Sequence, residues 1–480
     1  MNSSKRTALT VLGILLLVRL VAMAWIPLND TTEARYAEIA RKMLETGNWV
    51  TLWHDYGIPF WAKPPLSTWA SALSMMLFGV NELAARLPSL LLSLLTLWLT
   101  LTLSWRRQDD DSAMIVALVL AGGLLFFATA GTVMTDSALM LSVALIQVAF
   151  WHALTRPGRL WGYLFFVGIG IGMLAKGPVA VVLTAMPIGL WVIARGAWRP
   201  IWQRLPWISG TLLAIIIAAP WYALAEMRTP GFLHYFIMGE HFGRFLDSGW
   251  KGDRYGFAHA TPRGMIWAYT FAALLPWSLP ACAWLLRHLR ARGRGRDDDG
   301  WLLYLGLWSV MTLLFFTLSG NIIWPYSMPM LPGFALLFAE LRRRHAPGAG
   351  YRGLAFGGLF SAAIGVIAIV GFAAFPGKIG RTQKPLIEAW RAQAPTPQSQ
   401  LLFWDSRREF SAEFYSGGRA KTTTDPARAQ ALLQDGQTDF IAVPQDKYAS
   451  LPAAVRTAFG ELGRFNNPGE TFLLLRKTHP

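Results

Sequence analysis

Charge is scarce in this chain: Asp, Glu, Lys and Arg make up 15% of 480 residues, against 54% apolar residues and a mean hydropathy of +0.36. Soluble domains carry about a quarter charged residues, so an ordinary globular protein is excluded and an integral membrane protein is implied. Cysteine is nearly absent. The single Cys282 rules out an intrachain disulfide and a cysteine-based metal site, and its apolar neighbours predict a core thiol. Acids are outnumbered, 28 to 44 Lys and Arg, for a formal charge of +16. The basic residues sit in short clusters between apolar runs rather than on one soluble face, which excludes a nucleic-acid surface. There is no low-complexity tract and no internal repeat of the inverted-repeat transporter kind.

Apolar runs fill the rest. They fall at 8–28, 87–105, 113–130, 136–155, 160–175, 177–194, 206–224, 265–286, 301–319, 326–341 and 353–375, with 64–78 as a further span or re-entrant piece. This predicts an all-α polytopic bundle of about 11–13 transmembrane helices. Ala22-Met23-Ala24 resembles a signal-peptidase site, but the preceding run is long enough to span and an uncleaved first helix is expected. Alternate connections carry Arg106 and Arg107, Arg156 and Arg159, Arg195 to Arg204, Arg287 to Arg296 and Arg342 to Arg344, so the N-terminus is expected in the cytoplasm. The polar loops 29–86 and 225–264 and the tail then face outward. Residues 1–375 read as the membrane domain and 376–480 as a small α/β domain, with "LLFWD", "DFIAVP" and "TFLLLRK" as strands and "DPARAQALL" and "LPAAVRTAF" as helices.

The first outward loop opens with "NDTTEARYAEIARKMLETGNW", residues 29 to 49. Thr31 to Thr46 is too polar to span, yet Tyr36, Ile39, Ala40, Met43 and Leu44 recur at helical spacing and Gly47 is a stop signal. An amphipathic helix along the outer interface is expected. Asp30 would cap it, with Glu33 completing a capping box. The same topology places Lys63 in "FWAKPPLSTW", Asp136 in "TVMTDSALM", Lys176 in "MLAKGPVAV", and Glu240, His241 and Arg244 in "FLHYFIMGEHFGRF" on that side. Lysines at the mouths of apolar helices need an anionic partner or water. Several of them among carboxylates point to a phosphate-bearing ligand. His234 and His241 could form a metal pair, but no third ligand is evident and structural or substrate contacts are the preferred reading. Arg19, deep in an apolar run, is expected to snorkel or pair.

The ordered series E-A-R-Y-A-E-I-A-R, K-P-P, T-D, A-K-G and F-L-H-Y-F with E-H-F-x-R-F resembles the polyprenyl-phosphate-dependent GT-C glycosyltransferases, in particular the ArnT-like lipid A aminoarabinose transferases and their protein O-mannosyltransferase relatives. The resemblance implies a bundle with amphipathic helices in the first outer loop, a periplasmic C-terminal domain and a bacterial inner-membrane location. It implies transfer of a sugar from undecaprenyl phosphate to lipid A or another envelope acceptor, with no cofactor or metal required. Asp30, Glu33 and Asp136 then carry catalysis. Arg35, Lys63, Lys176 and Arg244 hold the donor phosphate, while Tyr36, Glu240, His241 and Tyr326 contact substrate. Three features depart from the pattern: Thr32 stands where an acid usually precedes the glutamate, so that role falls to Asp30 or Glu33, "NIIWPYSMP" at 321–329 has no lysine, and loop 225–264 lacks the usual P-F-W-Y-Y end.

Such a donor gathers negative charge on phosphate as its glycosidic bond breaks, and lysine and arginine can stabilise it. Direct displacement inverts the anomeric centre. A hydroxyl acceptor needs a base, whereas an ionised lipid A phosphate needs only positioning. Competing readings are a protein O-mannosyltransferase-like enzyme, a flippase or transporter of a lipid-linked sugar, and an assembly subunit without activity.

Overall fold

The computed structural model describes residues 3–107, 109–256, 259–291, 297, 299–375 and 377–478. Arg292, Arg294 and Arg296 of one basic connection, and Pro376 where the tail is expected to begin, lie outside the described residues. The chain forms two compact units. One comprises Met1–Leu20, Asn48–Ser74 and Arg86–Gly365, the other Val21–Gly47, Met75–Ala85 and Val366–Pro480.

Among the described residues five helices are long and apolar enough to cross a membrane: Ser3–Trp25, Glu82–Trp105, Asp136–Thr155, Trp207–Arg228 and Arg352–Ala374. A bent pair, Met265–Ala273 and Ser278–Arg290 at 108°, makes a sixth if it counts as one span. Leu66–Phe78, Leu160–Lys176, Val179–Arg195 and Trp301–Thr317 are shorter apolar helices. Besides 265–286, which is the bent pair, two expected spans are interrupted. Residues 113–130 form Asp110–Gly122 and Leu124–Thr129 with an extended Gly123 between them, and 326–341 becomes a 3-10 turn, Trp324–Met330, followed by Leu331–His345. Hydropathy reports apolar length but not whether the backbone stays helical along it.

Small residues set the packing around the later site. A Cβ on Gly172 would lie 2.5 Å from Ser142 Oγ and 2.6 Å from the Ala180 Cβ, and one on Gly168 2.7 Å from Ile146. Leu160–Lys176 therefore approaches Asp136–Thr155 closely, as glycine permits in membrane bundles. Arg19 turns inward, donating from Nε to the Ala130 carbonyl at 2.5 Å and from Nη2 to Thr132 Oγ1 at 3.0 Å. It thereby satisfies a carbonyl just past the end of Leu124–Thr129. The expected core thiol is corrected: Cys282 is exposed on Ser278–Arg290. In a membrane chain an apolar run offers residues to lipid as readily as to the protein core.

The second unit holds a five-stranded sheet. With β1 (Trp53–Asp55) and β2 (Ile58–Pro59) forming a small hairpin in the first unit, its strands are β3 (Leu401–Trp404), β4 (Ala420–Thr423), β5 (Phe440–Pro444), β6 (Phe459–Asn467) and β7 (Glu470–Lys477). Their order is β4-β3-β5-β7-β6, parallel across the first three and antiparallel beyond. Leu402, Trp404, Ile441, Val443, Leu473 and Leu475 build one core face. The fully buried β3 and β5 read as apolar runs, as central strands do. The edge strands β4 and β6 alternate with polar residues and glycine and gave no clear strand signal; Phe459, expected to end a helix, opens β6.

The first-loop helix runs Thr32–Thr46 and stops at Gly47, which is left-handed at φ 62° and donates to the Leu44 carbonyl. Its cap differs from expectation: Thr31 occupies the cap without a side-chain bond, while Glu33 Oε2 accepts from the Asn29 amide at 3.4 Å. Asp30 does not cap because its carboxylate accepts from the Ser411 amide at 3.1 Å and from the Ser411 hydroxyl. The helix is also enclosed rather than half-solvated. Glu38 and Lys42 are fully buried, Lys42 Nζ lies 2.7 Å from Glu413 and 3.1 Å from Glu38, and the Arg41 fork bonds Glu38 at 2.7 and 2.8 Å. Removing one partner of such a cluster strands a buried charge. Lys42→Met should therefore destabilise the protein by about 3–5 kcal/mol, read as a lower thermal midpoint in detergent; a loss below about 1 kcal/mol, the value of an exposed pair, would contradict this picture.

Candidate active site

Gly177 ends Leu160–Lys176 at φ +82°, and a Cβ there would lie 2.7 Å from the Phe236 ring and 3.2 Å from His241 Cε1. Glycine is required both for the turn and for that approach. The stop leaves Lys176 on the last turn, with Nζ 2.5 Å from Asp136 Oδ1 and 4.5 Å from the centre of the Tyr326 ring. Asp136 itself begins Asp136–Thr155. Lys176 is thus held from two sides, by a carboxylate and an aromatic face.

Lys63 is placed by the loop after β2. The Tyr255 hydroxyl donates to the Pro59 carbonyl at 2.7 Å and accepts from the Trp61 amide at 3.0 Å, and Trp61 Nε1 donates to Thr229 Oγ1 at 3.0 Å. Pro64 and Pro65 follow, and Leu66–Phe78 starts directly after them. Lys63 Nζ donates to Glu240 Oε2 at 2.8 Å and to the Ala62 carbonyl at 2.7 Å.

Glu240 lies on a nine-residue π-helix, Tyr235–Gly243. Arg244 Nη1 donates to its Oε2 at 3.1 Å, the Tyr235 hydroxyl to its Oε1 at 3.3 Å, and Arg244 Nη2 to Asp253 Oδ2 at 2.8 Å. Burial alone would raise the Glu240 carboxyl, but the Lys63 ammonium and Arg244 guanidinium outweigh it and hold the group below its ordinary value. His241 is pushed down by burial, and its two ring nitrogens face the Phe236 carbonyl at 2.8 Å and the Lys176 carbonyl at 3.2 Å. With its proton on Nε2, it ties the π-helix to the end of Leu160–Lys176.

Lys63, Lys176, Glu240, His241, Arg244 and Tyr326 line one cavity of about 340 Å³. Leu139, Val179, Val182, Phe236, Phe315 and Phe316 supply apolar wall. A concave site with a cationic cluster and an apolar wall suits an amphiphile with an anionic group. Among the described residues no group of three or more His, Cys, Asp or Glu side chains is arranged to hold a metal ion.

Seven of the expected site residues therefore meet in the first unit, with Asp136 acting on Lys176. Asp30, Glu33, Arg35 and Tyr36 belong to the second. There Asp30 is held by Ser411, and the Arg35 guanidinium lies 5.5 Å from the Tyr36 ring. Burial, then the neighbouring Glu409 carboxylate, pushes the Asp30 carboxyl up to about 8. Sequence reasoning missed Tyr235, Asp253 and Tyr255. Asp253 follows Arg244 by nine residues in one loop, a spacing without a periodic meaning, so only the folded loop pairs them.

The fold is that of the GT-C membrane glycosyltransferases. It matches the crystal structure of ArnT from Cupriavidus metallidurans bound to undecaprenyl phosphate with a TM-score of 0.77 over 98% of this chain and 97% of that one, at 18% identity, and the apo state of the same protein at 0.75. Residues 7–236 match the dolichyl-phosphate-mannose-protein mannosyltransferase family. The undecaprenyl phosphate-alpha-4-amino-4-deoxy-L-arabinose arabinosyl transferase 2 of Sodalis glossinidius is 30% identical over 392 residues, 80% of this chain and 67% of that protein. The Erwinia tasmaniensis arabinosyl transferase is 30% identical over 383 residues, 78% and 66% respectively. The chain belongs to this ArnT-like family of multi-pass membrane glycosyltransferases. It spans about two thirds of the length of these relatives.

The Asp30 shift has a sign that can be measured. Folded Asp30 keeps its proton up to about pH 8, whereas an unfolded aspartate releases it near pH ~4. Its contribution to stability is full below ~4 and is lost as pH rises through the folded value. Asp30→Asn should therefore flatten the decline of thermal midpoint between these limits, with Glu409, also raised by burial, keeping part of it. An unchanged slope in the variant would refute burial of Asp30 as the cause.

Proposed function

We propose that this enzyme transfers a sugar from an undecaprenyl-phosphate donor to lipid A, or to a related envelope acceptor, at the periplasmic face of the bacterial inner membrane. The N-terminus and the arginine-rich connections face the cytoplasm on this reading. The observation that carries it is the convergence of Lys63, Lys176 and Arg244 on one cavity that also has a broad apolar wall. Charge-assisted bonds from these cations would hold the donor phosphate, and the apolar wall would receive the first isoprenoid units. The relatives named above supply the sugar class, an aminoarabinose or a close analogue.

In the reaction the bond between the anomeric carbon and the phosphate oxygen breaks, its electron pair goes to the phosphate, and the acceptor oxygen bonds to the opposite face of that carbon. The configuration inverts. The three cations stabilise the charge gathering on the leaving phosphate, which is electrostatic catalysis without a required metal. Asp136 positions Lys176, and Tyr326 supports the same ammonium from beneath. His241 holds the π-helix against the Lys176 carbonyl. An ionised lipid A phosphate is already a nucleophile, so that acceptor needs orientation rather than deprotonation.

Transfer is tested with purified protein, undecaprenyl-phosphate aminoarabinose and lipid A. Lys63→Ala and Arg244→Ala should each lower turnover by about 100-fold or more in protein that remains folded, with a lower thermal midpoint where Glu240 or Asp253 loses a partner, and a metal chelator should leave the wild-type rate unchanged. Full activity in both variants would remove the phosphate-binding assignment, and loss of activity on chelation would remove the metal-independent mechanism.

A further inference from the structure

Lys63, Arg244 and Lys176 look like a phosphate site, yet none of them carries surplus charge toward the cavity. Lys63 and Arg244 share Glu240, Arg244 also pairs with Asp253, and Lys176 pairs with Asp136. Among the described residues these three cations pair with three carboxylates, and the formal charges of the six groups cancel. An anionic ligand cannot gain full charge-assisted bonds there unless one carboxylate gives way.

The geometry singles out Glu240. It alone bridges two of the cations, at 2.8 Å from Lys63 and 3.1 Å from Arg244, the arrangement a phosphate takes between such groups. Its side chain is 2% exposed, whereas those of Lys63 and Arg244 are each 18% exposed, so the carboxylate sits behind the cations. It also has a partner besides the cations: the Tyr235 hydroxyl donates to Oε1 at 3.3 Å, an oxygen that Arg244 Nη1 reaches at the same distance. Finally, it is carried by a π-helix, a rare register that recurs at functional sites. Trp250 clamps that register by packing where Cβ atoms on Gly239 and Gly243 would stand, at 3.0 and 2.8 Å.

We propose that Glu240 is a built-in stand-in for the donor phosphate: it occupies Lys63 and Arg244 in the ligand-free enzyme and is displaced from them when the phosphate of the lipid donor enters. This rests on the phosphate-binding reading of the pocket and adds a competitor to it. Glu240 is a positioning residue that sets affinity for the anion. It keeps the two cations aimed and desolvated while the site is empty, and it returns when the lipid phosphate leaves. No bond to the ligand is assigned to it.

The test measures binding of undecaprenyl phosphate to detergent-purified wild type, Lys63→Ala and Glu240→Gln. Gln keeps the size and the capacity to bond Tyr235 but carries no charge. Wild type should bind, Lys63→Ala should lose affinity, and Glu240→Gln should bind roughly 10-fold more tightly than wild type. Weaker or equal binding by Glu240→Gln, with wild type and Lys63→Ala as expected, would overturn the stand-in while leaving the phosphate site in place. No binding by wild type, or undiminished binding by Lys63→Ala, would overturn both. Should Glu240→Gln fail to fold, hydrogen exchange on wild type decides: added undecaprenyl phosphate should change protection at 235–243 amides, and unchanged protection in the presence of bound lipid would overturn the stand-in.

Discussion

Placing cations at an apolar cavity is the constraint that organises the first unit. An ammonium or guanidinium leaves water only if carboxylates and dipoles replace its hydration. Lys63, Lys176 and Arg244 each meet this demand with a carboxylate within 3.1 Å, and those carboxylates come from separate elements: the start of Asp136–Thr155, the π-helix and the loop after it. The backbone features nearby serve the same end. Gly177 terminates a helix so that Lys176 reaches the cavity, Tyr255 pins the loop that carries Lys63, and His241 joins the π-helix to the Lys176 carbonyl.

The second unit solves a similar problem differently. Glu38, Arg41, Lys42 and Glu413 are packed with almost no exposure, and Arg408 closes the cluster with a fork on Glu413. Their charges are met by one another. In the pocket, by contrast, Lys63 and Arg244 keep part of their surface toward open space. Both clusters are ion-pair networks. The one that lines the cavity of Lys63 and Arg244 can, on the proposed reading, exchange a protein carboxylate for a ligand anion.

Much of this was legible from residue order. The apolar runs located the helices, Asp136–Thr155 to the residue, because length and composition decide a span and few other constraints intervene. The lysines and the "EHFGRF" segment were visible as charges that an apolar neighbourhood does not tolerate without a purpose. What stayed hidden depends on partners distant in sequence. Asp30 looked like a cap for the helix that follows it, and only folding shows Ser411 taking its oxygens, 381 residues away. The break at Gly123 and the short 3-10 turn Trp324–Met330 were invisible for another reason: apolar residues remain apolar whether or not the backbone is helical. The strands β4 and β6 were missed because edge strands lack the continuous apolar signal of β3 and β5.

A neutral charge cluster is at first sight a poor way to hold a phosphate, but under the proposed reaction it suits the order of events. A polyprenyl-phosphate sugar is a diester with one negative charge, and bond breaking leaves a monoester that carries more. Cations fully available from the outset would spend much of their attraction on the singly charged substrate before the bond breaks. Uniform binding of that kind does not raise turnover. Cations shared with Glu240, Asp253 and Asp136 hold the diester more weakly, and the phosphate competes better for them as it becomes more anionic. Glu240 then also opposes retention of the product, because it regains Lys63 and Arg244 when that product departs. The arrangement places its electrostatic preference on the later, more charged state, which is where a displacement at the anomeric carbon needs it.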